Sequence, residues 1–139
     1  MASSFALDPK IAKIAEAYAK DAVDLAAGSF QTKLDWTDDS IARLEAILAT
    51  LRESMPTPKP PDEVIWNFAK GFGSYLGEVF RKNHGGDWGT ITEGSSSFPG
   101  IRWKETLFWP WGRVHERIVE GDRSNVWHYY QALVGPVTR

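Results

Sequence analysis

The chain has 139 residues, 42% hydrophobic and 24% charged, with 16 basic against 18 acidic side chains and a net charge of −2. That length fits one domain with an ample core, and the near-neutral balance lacks the basic stripe by which nucleic-acid binders neutralise phosphates. With no cysteine, disulfides, thiolate metal sites and cysteine nucleophiles are excluded.

The first periodic segment runs from about Asp8 to Ala27. Ile11, Ile14, Ala15, Tyr18, Ala22 and Leu25 recur at three- and four-residue steps and predict an amphipathic helix with one buried stripe. Asp8 is its expected N-cap, Pro9 its first residue and Gly28 its end. A second helix starts at Thr37, a cap followed by Asp38 and Asp39 at the positive end of the helix dipole. Trp36 precedes the cap and is expected to pack on Ile41 as a hydrophobic staple. Ile41, Leu44, Leu48, Leu51 and Met55 continue the apolar stripe.

Residues 56–61 hold four prolines and read as an extended linker. They divide an N-terminal helical hairpin, 8–55, from the motif helix and sheet, 62–139, and the hairpin is expected to pack on the remainder within a single domain. The third helix, about Pro61 to His84, carries a broad apolar face through Ile65, Phe68, Phe72, Tyr75, Leu76, Val79 and Phe80. Ala69, Gly73 and Gly77 form a line of small residues spaced by four. Glycine inside a helix costs about 1 kcal/mol relative to alanine, so another element is expected to approach closely there. Asn83-His84-Gly85-Gly86 stops the helix.

Asp87 to Glu93 suits a short strand, Gly94 to Gly100 reads as a loop, and Ile101, Trp103 and Leu107 alternate as a second, half-buried strand. Pro110 breaks it, a short helix follows from about Trp111 to Glu120, and Asp122 is the expected cap of a last helix with Trp127, Tyr130 and Leu133 or Val134 buried. Gly135-Pro136 ends that helix. The fold class is therefore α+β, with about four to five helices and a small antiparallel sheet of two to three strands in the C-terminal half.

Candidate chemistry is sparse. His84, His115 and His128 lack the paired helical spacing of a metal site, no serine sits in a nucleophile elbow, and Gly71 and Gly73 lie mid-helix without the strand a dinucleotide fingerprint needs. No catalytic residue, cofactor or metal is expected. Glu78, set among Leu76, Gly77, Val79 and Phe80, is read as an internal ion-pair or hydrogen-bond partner of Arg81 or Lys82. Trp109 and Trp111 flank a rigid proline and form a candidate recognition surface, whereas Trp103 alternates with core positions.

The run GSYLGEVFRKNHGGDW resembles a family of small bacterial domains of unknown function, whose helix reads roughly Y-x-G-E-x-x-R and leads to G-G-x-W. Tyr75, Gly77, Glu78 and Arg81 match the first half, Gly85, Gly86 and Trp88 the second, and Gly73 opens the run. Later, Trp109-Pro110 leads to Val114 and Arg117, then Gly121 and Tyr129-Tyr130. The likeness covers the C-terminal two-thirds and extends weakly to Leu34-Asp35 and Ser40. Some members look like immunity proteins that neutralise a secreted toxin, so the resemblance implies a non-enzymatic protein-binding domain with a cognate toxin as partner.

For a basic toxin, Asp38, Asp39, Glu45 and Glu53 are the expected acidic contacts, alongside Trp109 and Trp111. The alternatives are a small-ligand binder or enzyme using a cleft near Glu78, His84 and Trp88, and a homodimer joined through the tryptophan patch. The N-terminus lacks the basic and apolar segments of a secretory signal, and no window approaches the roughly 20 apolar residues of a membrane span. A cytoplasmic protein without nucleic-acid or membrane partners is expected.

Overall fold

The computed structural model describes residues 3–135. Asp8 caps the first helix by accepting from the Lys10 amide, and Pro9 stands at its first position. Helix α1 (Pro9–Phe30) runs past Gly28 and ends at Gln31, whose left-handed backbone (φ 48°) returns its amide to Ala26. Its buried line is Ala15, Ala19, Ala22 and Ala26, while Ile14 and Tyr18 stand exposed. Ala15 and Ala22 of the expected stripe are buried and Ile11 and Leu25 half-buried, but the face is turned toward Ala19 and Ala26 because size decides here: α1 lies along the next long helix at alanine distance, and a Cβ on Gly71 would already touch Ala22 Cβ at 3.9 Å.

Helix α2 (Ser40–Glu53) begins after a turn in which Thr37 receives the Ser40 amide on its side chain. The residue that precedes the helix is Asp39, whose side chain makes no cap bond, so Thr37 closes the preceding turn and is not the cap of the helix itself. Trp36, at a positive φ of 69°, places its ring 4.9 Å from that of Tyr75. Helix α3 (Asp62–His84) is the central element. α1 packs chiefly on α3, whereas α2 packs on the two C-terminal helices, so the N-terminal segment is shared out among later elements.

Among the described residues one antiparallel sheet has the order β1-β2-β3-β4. Strands β2 (Asp87–Glu93), β3 (Ser96–Trp103) and β4 (Thr106–Phe108) form consecutive hairpins, and β1 (Ser3–Leu7) adds to β2 from the far end of the chain. The expected loop over 94–100 shrinks to a two-residue turn, Gly94-Ser95, with Glu93 facing Ser96 across the ladder. Pro99 is accommodated within β3 opposite Thr90. A second turn at Lys104, φ 55°, separates Trp103 from Leu107.

Helix α4 (Pro110–Glu120) starts at the proline that breaks β4. A 3-10 turn over Asp122–Ser124 then precedes helix α5 (Val126–Val134), and Asn125 rather than Asp122 caps α5 by accepting from the His128 amide at 3.0 Å. Asp122 is drawn away to Arg117. Val126 and Tyr130 form the buried line of α5, with Trp127, Leu133 and Val134 half-buried against the core. Gly135 terminates α5 with φ 83°; Pro136 lies outside the described residues. The resulting α+β fold has five α-helices and four strands among the described residues. No helix among the described residues is long and apolar enough to cross a membrane.

Candidate functional site

Every residue from Phe72 to Phe80 is buried, an unbroken stretch that places both sides of α3 against protein. The small residues make this possible. A Cβ on Gly73 would fall 2.7 Å from Trp111 Cα and 2.9 Å from the Pro110 carbonyl oxygen, so the start of α4 rests on the α3 backbone. A Cβ on Gly77 would fall 2.5 Å from the Trp88 ring and 3.0 Å from Ile101, so the sheet rests one turn further along. The helix then turns into β2 through Gly85 and Gly86, whose φ values of 103° and 106° exclude side chains without strain.

Glu78, 1% exposed, stands at this contact. Arg81 donates to both of its oxygens, at 2.8 and 3.1 Å, and the Trp88 indole N–H donates to Oε2 at 2.8 Å. Burial by itself raises the pKa of this carboxyl, but the bonds from Arg81 and Trp88 outweigh it and hold Glu78 below the ordinary glutamate range. Glu78 is therefore ionised and fully engaged, which is the opposite of a carboxyl poised to exchange protons. Arg81 is pushed up, first by its bond to Glu78.

His84 leaves α3 on a different side. Its Nε2 lies 3.0 Å from both oxygens of Asp38, and the buried Tyr130 hydroxyl donates to the same carboxylate. Burial, reinforced by Asp38, keeps that hydroxyl protonated far above the ordinary tyrosine value. Nearby, the Tyr75 hydroxyl receives the Trp36 amide at 2.9 Å and shares a 2.6 Å bond with Ser40; burial raises it as well. These groups tie the start of α2 to α3 and α5.

The acidic residues expected at a partner surface divide. Asp38 is occupied by His84 and Tyr130. Glu45 accepts from Arg117 and from the Val126 amide, with its side chain 13% exposed. Glu45 is therefore an internal tie between α2, α4 and α5, and Arg117 is buried with it. Asp39 and Glu53 remain exposed. Sequence spacing could not separate these cases, because Arg117 lies 72 residues from Glu45.

The tryptophans divide too. Trp103 packs edge-on against Phe80 and donates to the His84 carbonyl, so it belongs to the core's rim. Trp111 donates to Ser74 Oγ at 2.8 Å, with Tyr18 beside it and Lys70 Nζ over its ring. Trp109 is 37% exposed and stands between Phe98 of β3, 4.5 Å away, and Trp66 of α3, 5.8 Å away. Trp66 stacks in turn on His115 at 4.0 Å, and His115 Nε2 contacts Asp62 at 2.9 Å. Four rings thus form one column, His115–Trp66–Trp109–Phe98, across three elements.

Trp66, Phe98 and His115 escaped the sequence reading of this surface. One signal was available: Trp66 is a large aromatic just off the apolar line marked by Ile65, where a helix ordinarily presents polar groups. Gly112 gives the column its footing, because a Cβ there would run into the Trp109 ring.

Glu78, Arg81 and Trp88 line a cleft of about 330 Å³, closed by Leu7, Pro9 and Ala12 and rimmed by Lys13 and Glu16. His84 is not among its walls. Among the described residues no three metal-ligating side chains converge.

No protein-family model matches the chain, and no curated protein matches it. Its fold is similar to that of a protein of Bacteroides thetaiotaomicron solved as a crystal structure, with a TM-score of 0.72 at 10% identity. The likeness covers 97% of this chain and 48% of the other, so this chain spans about half of that protein's length. At that identity the likeness concerns the fold alone.

Proposed function

We propose that the chain is a non-enzymatic protein-binding domain of the immunity-like kind, acting in the cytoplasm to occlude a toxin through the surface around Trp109 and Trp111. The observation that carries this reading is the ring column at that surface. Tryptophan gives large contact area at low conformational cost, and the neighbours of Trp109 hold it in place before any partner arrives. Trp111, anchored to Ser74, extends the same strip toward Tyr18. The resemblance of the Tyr75–Trp88 segment to domains with immunity-like members supports the same direction. Asp39 and Glu53 are the acidic residues left for a basic partner.

The test is whether a neighbouring reading frame encodes a toxin-like protein and whether the purified chain co-elutes with its product. Wild type is expected to co-elute, and Trp109→Ala is expected to weaken binding about thirtyfold, the equivalent of the roughly 2 kcal/mol of a hot-spot residue. Loss of co-elution in wild type, or full binding by Trp109→Ala, overturns the reading.

A second reading, small-ligand binding, rests on the cleft beside Glu78, which joins an apolar wall to the charged rim of Lys13, Glu16 and Arg81. Thermal-shift screening against metals, nucleotides and common metabolites tests it; an unshifted melting curve across the set removes it.

A further inference from the structure

Strand β1 pairs with β2 along one edge, and no described residue pairs with the other. Ser3, Ser4, Ala6 and Leu7 are exposed, Leu7 to 62%. An open edge presents unpaired N–H and C=O groups, and soluble proteins ordinarily shield it with charge, proline, a bulge or brevity. The sheet's other edge follows this rule, since β4 has three residues. β1 has none of these protections: five residues in regular register, Ser-Ser-Phe-Ala-Leu, without charge or proline.

We infer that β1 is the joining edge of a homodimer, pairing antiparallel with β1 of a second copy about a two-fold axis at Phe5. The strand is complementary to itself in that register. Phe5 faces Phe5, Ser4 faces Ala6, and Ser3 faces Leu7, so no charge enters any cross-strand pair. The Phe5 ring leans inward over its own sheet, lying where a Cβ on Gly89 of β2 would meet it at 2.5 Å and 4.9 Å from the Arg102 guanidinium of β3, so it does not obstruct the open edge. Ser3 Oγ donates to Glu93 at 2.8 Å, which holds that carboxylate on its own sheet. The product is one continuous sheet of eight strands, each four-stranded half as in the single chain, and it uses a surface separate from the Trp109 column. The inference does not rest on the toxin-binding reading.

Light scattering coupled to size exclusion tests it. Wild type is expected at twice the mass of the chain. In the register above, the double variant S4K/A6K sets lysines directly opposite one another twice across the axis, and S4E/A6E does the same with carboxylates, so each is expected at half the wild-type mass. Their equimolar mixture pairs opposite charges and is expected to regain the doubled mass. A wild type that stays monomeric at high concentration overturns the inference, including where an added extended peptide protects β1, which assigns the edge to a different protein. A dimer unchanged by S4K/A6K also overturns it. Should the variants fail to fold by circular dichroism, amide exchange in wild type decides: β1 protection that grows with protein concentration supports the pairing, and concentration-independent exchange refutes it.

Discussion

Helix α3 passes through two regions built from similar residues and used differently. Around its C-terminal half, glycine, tryptophan and charge are locked together: Trp88 lies on Gly77, its N–H and Arg81 both satisfy Glu78, and no atom of that carboxylate is left over. Around its N-terminal half, Trp66, Trp109, Phe98 and His115 stack with part of the column open to solvent. The same chemical types therefore carry different meanings. Where neighbouring backbones close to contact distance, polar side chains become structural. Where rings stack at a surface, contact area stays available to a partner.

The contrast breaks first at Glu78. Replacing it with alanine removes the acceptor for Trp88 and the partner of Arg81, and because Arg81 is partly in solvent the loss is expected near the lower end for such pairs, about 3 kcal/mol. Denaturant melts of Glu78→Ala measure it. The isosteric Glu78→Gln variant, which removes only the charge, sharpens the point through pH. The folded carboxyl titrates below its unfolded value, so its stabilisation is fully present above the ordinary glutamate value of about 4.3 and is lost as pH falls through the lowered folded value. The stability gap between wild type and Glu78→Gln should be widest at neutral pH and shrink on acidification; a gap that grows on acidification would mean a raised value instead.

Next comes Gly73→Ala. Alanine gains about 1 kcal/mol of helix propensity, yet its methyl group meets the backbone of Pro110 and Trp111, which cannot rotate away. Overpacking of this kind costs about 1–3 kcal/mol, so a net loss of about 1 kcal/mol is expected in thermal melts, and a stabilised variant would show that α4 is free to shift. An effect of similar size belongs to the open region: Trp109→Ala forfeits two ring contacts and is expected to lower stability by about 1 kcal/mol while leaving the fold intact. If its melting temperature fell as far as that of Glu78→Ala, the column would be core and the comparison would collapse.

Read from sequence, the part of the site that proved legible was the part encoded at short range. The small-residue line at Ala69, Gly73 and Gly77 implied close approach, and Glu78 with Arg81 one turn on implied an internal tie. The ring column was not legible, because Phe98, Trp109 and His115 come from a strand, a helix cap and a helix face whose meeting depends on how the sheet docks on α3. The same holds for Asp38 and Glu45. Each reads as a surface acid until His84, Tyr130 and Arg117 arrive from distant positions.

The sequence by itself determined the local punctuation: Asp8-Pro9 opening α1, Thr37 closing the turn before α2, the four prolines parting α2 from α3, and Gly85-Gly86 turning α3 into β2. Those features are settled by dihedral preference and by hydrogen bonds a few residues long. Only the tertiary structure decided which face of α1 is buried, since alanines win where another helix lies close, and that β1 exists at all. Five residues of mixed polarity carry too little periodic signal to announce a strand, and β1 is held by a ladder to β2 more than eighty positions away. Long-range pairing of that kind is a property of the assembled sheet, and no local preference encodes it.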